Sequence, residues 1–366
     1  MSPINFSPTQ KRNISKILPF GIICCFFGVL WTVVERGLLG NLNYYPATGN
    51  PYQFEQSFVG VSVGALLIGW TIGIIEILFL KKIFIGQSFG KKIFIKTSIY
   101  ISTLCIFLLS LTIILNSIVL EVSLFDPLNL NSVTQFITNF AFWSVIIYMG
   151  TVVFIMLFFS EVSDQLGQSI LKDFILGKYH KPREEERIFM FLDMKSSTSI
   201  AEKLGHIKFY ELLNEYYKDL TEAITKTSGE IYKYVGDEVI ISWTLKEGVK
   251  NENCIQCFLI MKKTLDRASG KYLKKFGLVP GFKAGLHFGK TTIGEIGILK
   301  KEIAFSGDVL NTTARIQSEC NSYEVDILIS EKLINLFKNS YDLTEIGECE
   351  LRGKEEKIKL FTLKTT

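Results

Sequence analysis

The chain has 366 residues, 48% of them hydrophobic, with 40 basic against 36 acidic side chains and a mean hydropathy of +0.28. So small a charge excess, with no basic block interleaved with aromatics, excludes nucleic acid as a partner. The length suits two or three domains, and the uneven placement of charge predicts a membrane part followed by a polar part. Seven cysteines are scattered along the chain. Cys254 and Cys257 form a CxxC, but no second pair or matching histidines complete a zinc site, and CIQCFLIMKK reads as a buried helix face. Nothing suggests an oxidised framework, so the polar half is expected to face the cytosol.

Lys11, Arg12 and Lys16 precede an apolar run from Ile17 to about Leu39 that is too long for a signal peptide and lacks a small-residue cleavage site. Further apolar runs cover about Phe58 to Leu80, Ile99 to Leu120 and Phe136 to Phe159. Each is long enough to cross a hydrocarbon core, which takes ~20 helical residues. Lys81, Lys82, Lys91, Lys92 and Lys96 follow the second run, whereas segments 40–57 and 121–135 carry no Lys or Arg. This asymmetry predicts four spans in a bilayer, here the cytoplasmic (inner) membrane, with both termini on the cytoplasmic side. Glu76 is the one carboxylate well inside a span, and the expectation is that it snorkels towards Lys81 and Lys82. Trp31, Trp143 and Tyr148 are interface anchors or bundle core. The outer segments are too short for a folded receptor domain.

The expected organisation is a membrane domain over 1–160, a coupling helix or linker over 161–183 and a cytosolic domain over 184–366. Val162, Leu166, Ile170 and Phe174 recur at helical spacing through the linker, with Gly177 and Pro182 ending it. Paired with its copy, this stripe would transmit changes from the membrane.

From Arg187, RIFMFLDM reads as a buried strand ending at Asp193. Ser199 and Glu202 resemble a capping box, and Ser196, Ser197 and Thr198 line a helix N-terminus suited to phosphate. A long helix is expected over about Ile207 to Ser228, ended by Gly229. IYKYVGDEVIISW, Ile231 to Trp243, then reads as a hairpin turning at Gly236-Asp237. Alternation puts Ile231, Lys233 and Val235 on one face and Tyr232 and Tyr234 on the other. A helix around Asn253 to Phe276 and the strand GFKAGLHFG complete a β-α-β-β-α-β order, an α+β ferredoxin-like arrangement in which Asp193 and Asp237 converge. Two such carboxylates beside a phosphate-binding turn suit two-metal phosphoryl transfer. His287 reads as a satisfied histidine at a strand end, His206 as exposed, and Asp308 as a cap for the helix that follows.

The polar half resembles the class III nucleotide cyclases, the adenylate and guanylate cyclase family, from about Arg187 to the C-terminus. FLDMKSST, Phe191 to Thr198, is similar to its first metal motif, and KYVGDEV, Lys233 to Val239, to its second. SGDVLNTTARIQ, Ser306 to Gln317, matches an NxxxR element, and ELRGKEEKIKLF, Glu350 to Phe361, resembles the closing strand. The resemblance implies two divalent cations, Mg²⁺ or Mn²⁺, held by Asp193, Asp237 and the Met194 carbonyl. It implies Arg315 for transition-state charge, Asn311 for the ribose and Arg352 for phosphate. It also implies a homodimer in which each site takes its carboxylates from one protomer and its Asn/Arg pair from the other. Lys233 can donate to N1 of adenine, which favours ATP, although Ala304 stands where the family usually has Asp or Thr to read the adenine amino group. The expected activity is conversion of ATP to 3′,5′-cyclic AMP and pyrophosphate. The alternatives are a guanylate or mixed-specificity cyclase, or a catalytically silent cyclase-like receptor.

Overall fold

The computed structural model describes residues 6–44, 51–84, 86–337, 341–350 and 357–364. The chain forms two compact units, Gln10–Lys172 and, with the first nine residues, Asp173–Thr366.

The first unit is helical: α1 (Pro8–Leu39), α2 (Phe54–Ile75), a π-helical turn over Glu76–Leu80, α3 (Lys81–Ile83), α4 (Phe89–Leu120), α5 (Pro127–Thr138), α6 (Phe140–Leu166) and α7 (Gln168–Ile175). Four helical stretches, Pro8–Leu39, Phe54–Leu80, Phe89–Ile118 and Phe140–Leu166, are long and apolar enough to cross a membrane. Phe20, Val152, Val153, Met156 and Leu157 form their shared core. α1 and α2 approach at backbone distance, since a Cβ on Gly69 would lie 2.5 Å from the Phe20 carbonyl oxygen. Packing of this kind replaces the hydrophobic drive that lipid cannot supply.

Two expectations change here, and one outer segment gains a helix. Segment 121–135 holds most of α5, started by Asp126, whose carboxylate accepts from the Leu128 N–H at 2.9 Å, and by Pro127 in the first turn. The linker is not one continuous helix: Gly167, at φ +89°, separates α6 from α7, because this backbone geometry ends the α-helical ladder. Glu76 does not snorkel. It is 3% exposed and pairs with Lys96, itself 1% exposed, because an ionised group inside a bundle is satisfied by an opposite charge rather than by distant water.

The second unit is an eight-stranded sheet in the order β2-β3-β1-β4-β6-β8-β7, with β5 also paired to β4. Its elements are β1 (Arg183–Met194), α8 (Ser197–Leu204), α9 (His206–Lys226), β2 (Glu230–Val235), β3 (Glu238–Thr244), α10 (Leu245–Val249), α11 (Asn253–Arg267), α12 (Ser269–Phe276), β4 (Phe282–Ile296), β5 (Glu302–Ser306), α13 (Asp308–Glu319), β6 (Ile327–Ser330), α14 (Glu331–Ile334), β7 (Leu343–Cys349) and β8 (Ile358–Leu363). The β2-β3-β1-β4 portion is the expected ferredoxin-like sheet.

β1 is buried on both faces. Ile188, Met190, Leu192 and Met194 pack with α9 and α11, while Phe189 and Phe191 join Ile240 and Val309 on the side of α13. Each such side chain fully buried stabilises by about 1.5–3 kcal/mol. Cys254 and Cys257 are fully buried helix-face residues, and burial pushes the Cys257 thiol up to about 12, as the apolar reading of that segment requires. α9 leaves its helix at Ser228, which takes the left-handed conformation at φ +57°. Gly229 serves packing instead, since a Cβ there would lie 3.1 Å from the Trp243 ring.

Candidate active site

Asp193 stands in the penultimate position of β1, with Glu238 of β3 as its cross-strand partner on one side and Lys283 of β4 on the other. Directly opposed residues share a face, so the three side chains form a row on the α13 side of the sheet. Asp237 occupies the hairpin turn beside that row. Gly236, at φ +65°, supplies the left-handed step the turn needs, and Tyr217 of α9 donates to its carbonyl at 3.0 Å. Burial, and then the neighbouring Asp237 carboxylate, push Asp193 above the ordinary carboxylate range, with Lys283 opposing. Burial and both aspartates push Glu238 up to about 7. The Lys283 ammonium lies 3.4 Å from Asp193 and is the one basic group paired with it among the described residues.

The hairpin alternates differently from its sequence. Ile231 pairs with Ile241 and Lys233 with Ile240, so Tyr232 is an extra, bulged residue. Ile231 therefore faces the α9 core, whereas Tyr232 and Lys233 both turn to the α13 side, which corrects the expected grouping of Ile231 with Lys233. The bulge is held by Tyr232, whose ring meets Phe305 edge-on at 4.6 Å and whose hydroxyl accepts from the Phe305 N–H at 3.2 Å. Lys233 itself is exposed. Ala304 precedes Phe305 on β5, half-buried and paired with Gly294.

Met194 is buried, and its carbonyl belongs to the strand end next to Asp193. Ser196 begins α8 in the left-handed conformation without a side-chain cap, and the first helical bond runs from the Ile200 N–H to the Ser196 carbonyl at 3.0 Å. The helix thus starts three residues before the expected capping box, and Ser199 lies inside it. The reversal is fixed from behind, because the Lys195 N–H donates to the Gly281 carbonyl at 2.9 Å and its ammonium pairs with Asp326. Ser197 and Thr198 occupy the first turn, where free N–H groups gather.

Asn311 and Arg315 share one side of α13 at i, i+4 spacing. Asn311 is exposed, Arg315 half-buried, and among the described residues neither side chain makes a hydrogen bond or ion pair. Gln317 lies about 200° around the helix from Arg315. It is 6% exposed and its amide approaches Asp193 at 3.4 Å. Gly285 and Gly289 of GLHFG seat this helix. A Cβ on Gly285 would sit 2.4 Å from the Gln317 backbone nitrogen, and one on Gly289 would lie 3.1 Å from Val309. Asp308 starts α13, accepting from the Thr312 hydroxyl at 3.3 Å. His287 is buried inside β4 rather than at its end, 2.7 Å from the Ser330 hydroxyl, and His206 is exposed. Arg352 falls outside the described residues.

Lys283 and Gln317 were missed by the sequence reading. Lys283 had a signal, its place beside GLHFG on the strand next to Asp193. Gln317 had none beyond its nearness to Arg315. Among the described residues no three His, Cys, Asp or Glu side chains form a complete metal cage. The donors present are two adjacent carboxylates and a backbone carbonyl, carrying more negative charge than Lys283 offsets. That set fits a hard divalent cation whose remaining ligands are phosphate oxygens and water.

A ferredoxin-like sheet that joins an acid pair to a helix N-terminus, and carries an outward-facing Asn/Arg helix, defines a nucleotide cyclase catalytic domain. Residues 179–365 match the family model described as the adenylate and guanylate cyclase catalytic domain, and the chain belongs to that family. It is 32% identical over 219 residues to adenylate cyclase 2 of Rhizobium meliloti (strain 1021), covering 58% of each chain. It is 25% identical to the adenylate cyclase of Anabaena cylindrica, covering 48% of this chain and 36% of that one. Against retinal guanylyl cyclase 1 of Rattus norvegicus it is 23% identical, covering 53% and 18%. The chain therefore spans 58% or less of these relatives. Among solved structures, the adenylyl cyclase CyaB from P. aeruginosa gives a TM-score of 0.47 at 20% identity, covering 51% of this chain and 97% of that one. A bacterial light-regulated adenylyl cyclase gives 0.44 at 22% identity, covering 50% and 91%.

Proposed function

We propose that the chain is a membrane-anchored adenylate cyclase that converts ATP to 3′,5′-cyclic AMP and pyrophosphate as a homodimer, with both termini in the cytoplasm. The observation that carries this reading is the convergence of Asp193 and Asp237 in a row short of positive charge. Asp193, Asp237 and the Met194 carbonyl would hold two divalent cations, Mg²⁺ or Mn²⁺, which when bound lower the pKa of the 3′-hydroxyl and neutralise phosphate charge. The ribose 3′-hydroxyl loses its proton to solvent, its oxygen attacks the α-phosphorus to form a 3′-O–P bond, and the bond to pyrophosphate breaks. Lys283 and the N–H groups at the start of α8 meet the triphosphate, and Gln317 fixes the rotamer of Asp193. The helical phase of α13 supports a shared site: Gln317 turns to its own Asp193 while Asn311 and Arg315 turn away. The partner's Arg315 would then stabilise charge in the transition state, with the partner's Asn311 placing the ribose.

The bulge at Tyr232 supports the choice of ATP, because it puts Lys233 on the face of the acidic row, where it can donate to N1 of adenine. Guanine carries a hydrogen at that position. Ala304 has no side-chain acceptor for the adenine amino group, which favours a second reading, mixed specificity. Full-length protein in membranes, assayed with ATP and with GTP in Mn²⁺, separates the two: cyclic AMP in large excess is expected, and a product from GTP alone would overturn the proposal. Mixing Asp193→Ala and Arg315→Ala chains should restore about one working site per heterodimer. Two folded, dimeric variants that stay silent together would rule out the shared site.

A further inference from the structure

The end of the bundle that carries the lysine-rich segment holds a connected set of charges drawn from all four spans. Lys96 of α4 bonds to Glu76 and, at 2.9 Å, to Glu161 of α6. Lys92 lies 3.7 Å from Glu161. Three residues further along α6, Asp164 pairs with Lys16 of α1 and Lys81 of α3. Glu161 and Asp164 share a helix face at i, i+3 spacing, so α6 is gripped from every other span through two acids. Asp164 lies three residues before Gly167, where α6 ends and the chain runs on to the catalytic unit.

The π-turn makes this grip geometrically possible. Glu76 opens it and Lys81 closes it, with the Lys81 N–H donating to the Glu76 carbonyl in an i→i+5 bond. Residues so bonded stack on one side of the helix. In an α-helix, residues five apart stand about 140° apart, and the second span could not aim both Glu76 and Lys81 at the bundle interior. The turn gives up regular helix geometry and gains two ion pairs, Glu76 with Lys96 and Lys81 with Asp164.

We propose that the π-turn and the two acids of α6 form a clasp that fixes the exit end of α6, and that its release changes cyclase output. The output clause rests on the cyclase reading above; the clasp itself does not. The test uses the full chain in membranes or detergent, with activity expressed per inserted molecule. Hydrogen exchange over the end of α6 is measured in parallel. Inserting one leucine after Leu78 rotates Lys81 off its partner without removing a charge, and Asp164→Asn removes the negative charge that Lys16 and Lys81 share. Both are expected to speed exchange at the end of α6 by at least tenfold and to shift activity at least threefold in one shared direction. Deleting Leu78 makes Glu76 and Lys81 stack at i, i+4 in a regular helix, and Lys81→Arg keeps the pair. Both are expected to retain wild-type exchange and activity within twofold. Unchanged exchange in the insertion and Asp164→Asn variants overturns the clasp, as does a Leu78 deletion that loosens α6 as much as the insertion. Faster exchange with unchanged activity overturns the output clause alone. If the wild type makes no cyclic nucleotide, the cyclase reading fails while the exchange measurements still decide the clasp.

Discussion

Each unit of this protein contains a cluster of ionisable side chains, and the two are built on opposite principles. In the bundle, Glu76, Glu161 and Asp164 are matched by Lys16, Lys81, Lys92 and Lys96, so charge is compensated within the protein. In the catalytic unit, Asp193, Asp237 and Glu238 gather around a single paired lysine among the described residues, Lys283. A compensated cluster binds its own helices together. A cluster left short of cations costs stability on its own and is relieved by a ligand that brings positive charge. The contrast supports reading the first as a structural grip and the second as a binding site.

The largest expected effect breaks the comparison at its open end. Asp193→Asn should lower activity by about 10²–10³-fold or more, the scale on which loss of one transition-state contact is felt. In EDTA its thermal midpoint should equal or exceed that of the wild type, because a carboxylate crowded by Asp237 has been removed. A clear loss of stability would show that Asp193 is a structural acid. The closed cluster should respond with the opposite sign. Lys96→Met leaves two carboxylates facing each other in the bundle, and removing one partner of a buried pair costs about 3–5 kcal/mol. Thermal unfolding of the full chain in detergent should show that loss, and an unchanged midpoint would mean that the cluster holds nothing.

The smallest effect lies between these extremes. Asp326 is partly buried, which raises its pKa, but its bonds to Lys195 and Lys262 outweigh that and hold it below the ordinary aspartate value. Its lowered folded value contributes stability that is present above the unfolded pKa and lost as pH falls through the folded one. Asp326→Asn should therefore cost at most about 1 kcal/mol at neutral pH, since partly exposed pairs are screened. The difference from wild type should vanish in acid denaturation curves below the usual aspartate range. A gap that persists there would assign the effect to packing.

Much of this molecule was legible because its signals are local. The four spans follow from runs of apolar residues, and Asp193 and Asp237 stand at the strand end and turn that β-pattern and Gly236 announce. The sequence misled where one residue changes the phase of everything after it. The bulge at Tyr232 reverses the side on which Lys233 projects relative to Ile231, and the ring that Tyr232 packs against, Phe305, lies far along the chain. The helix of α8 starts early where Gly281 and Asp326 hold Lys195 from the loops that lead into β4 and β6. Glu76 looked like a snorkelling residue because Lys81 and Lys82 are its neighbours in sequence, whereas its partner Lys96 comes from another span.

By itself the sequence determined what short-range physics determines: which segments are apolar enough for a membrane, which alternate as strands, and which acids belong to the motifs of a cyclase. Tertiary structure decided which charges meet. Ion pairing and close backbone approach depend on a few ångströms between distant segments, and a π-turn, a bulge and two glycines on β4 set those distances. Gln317 against Asp193 and Glu76 against Lys96 both exist only because the fold aims them.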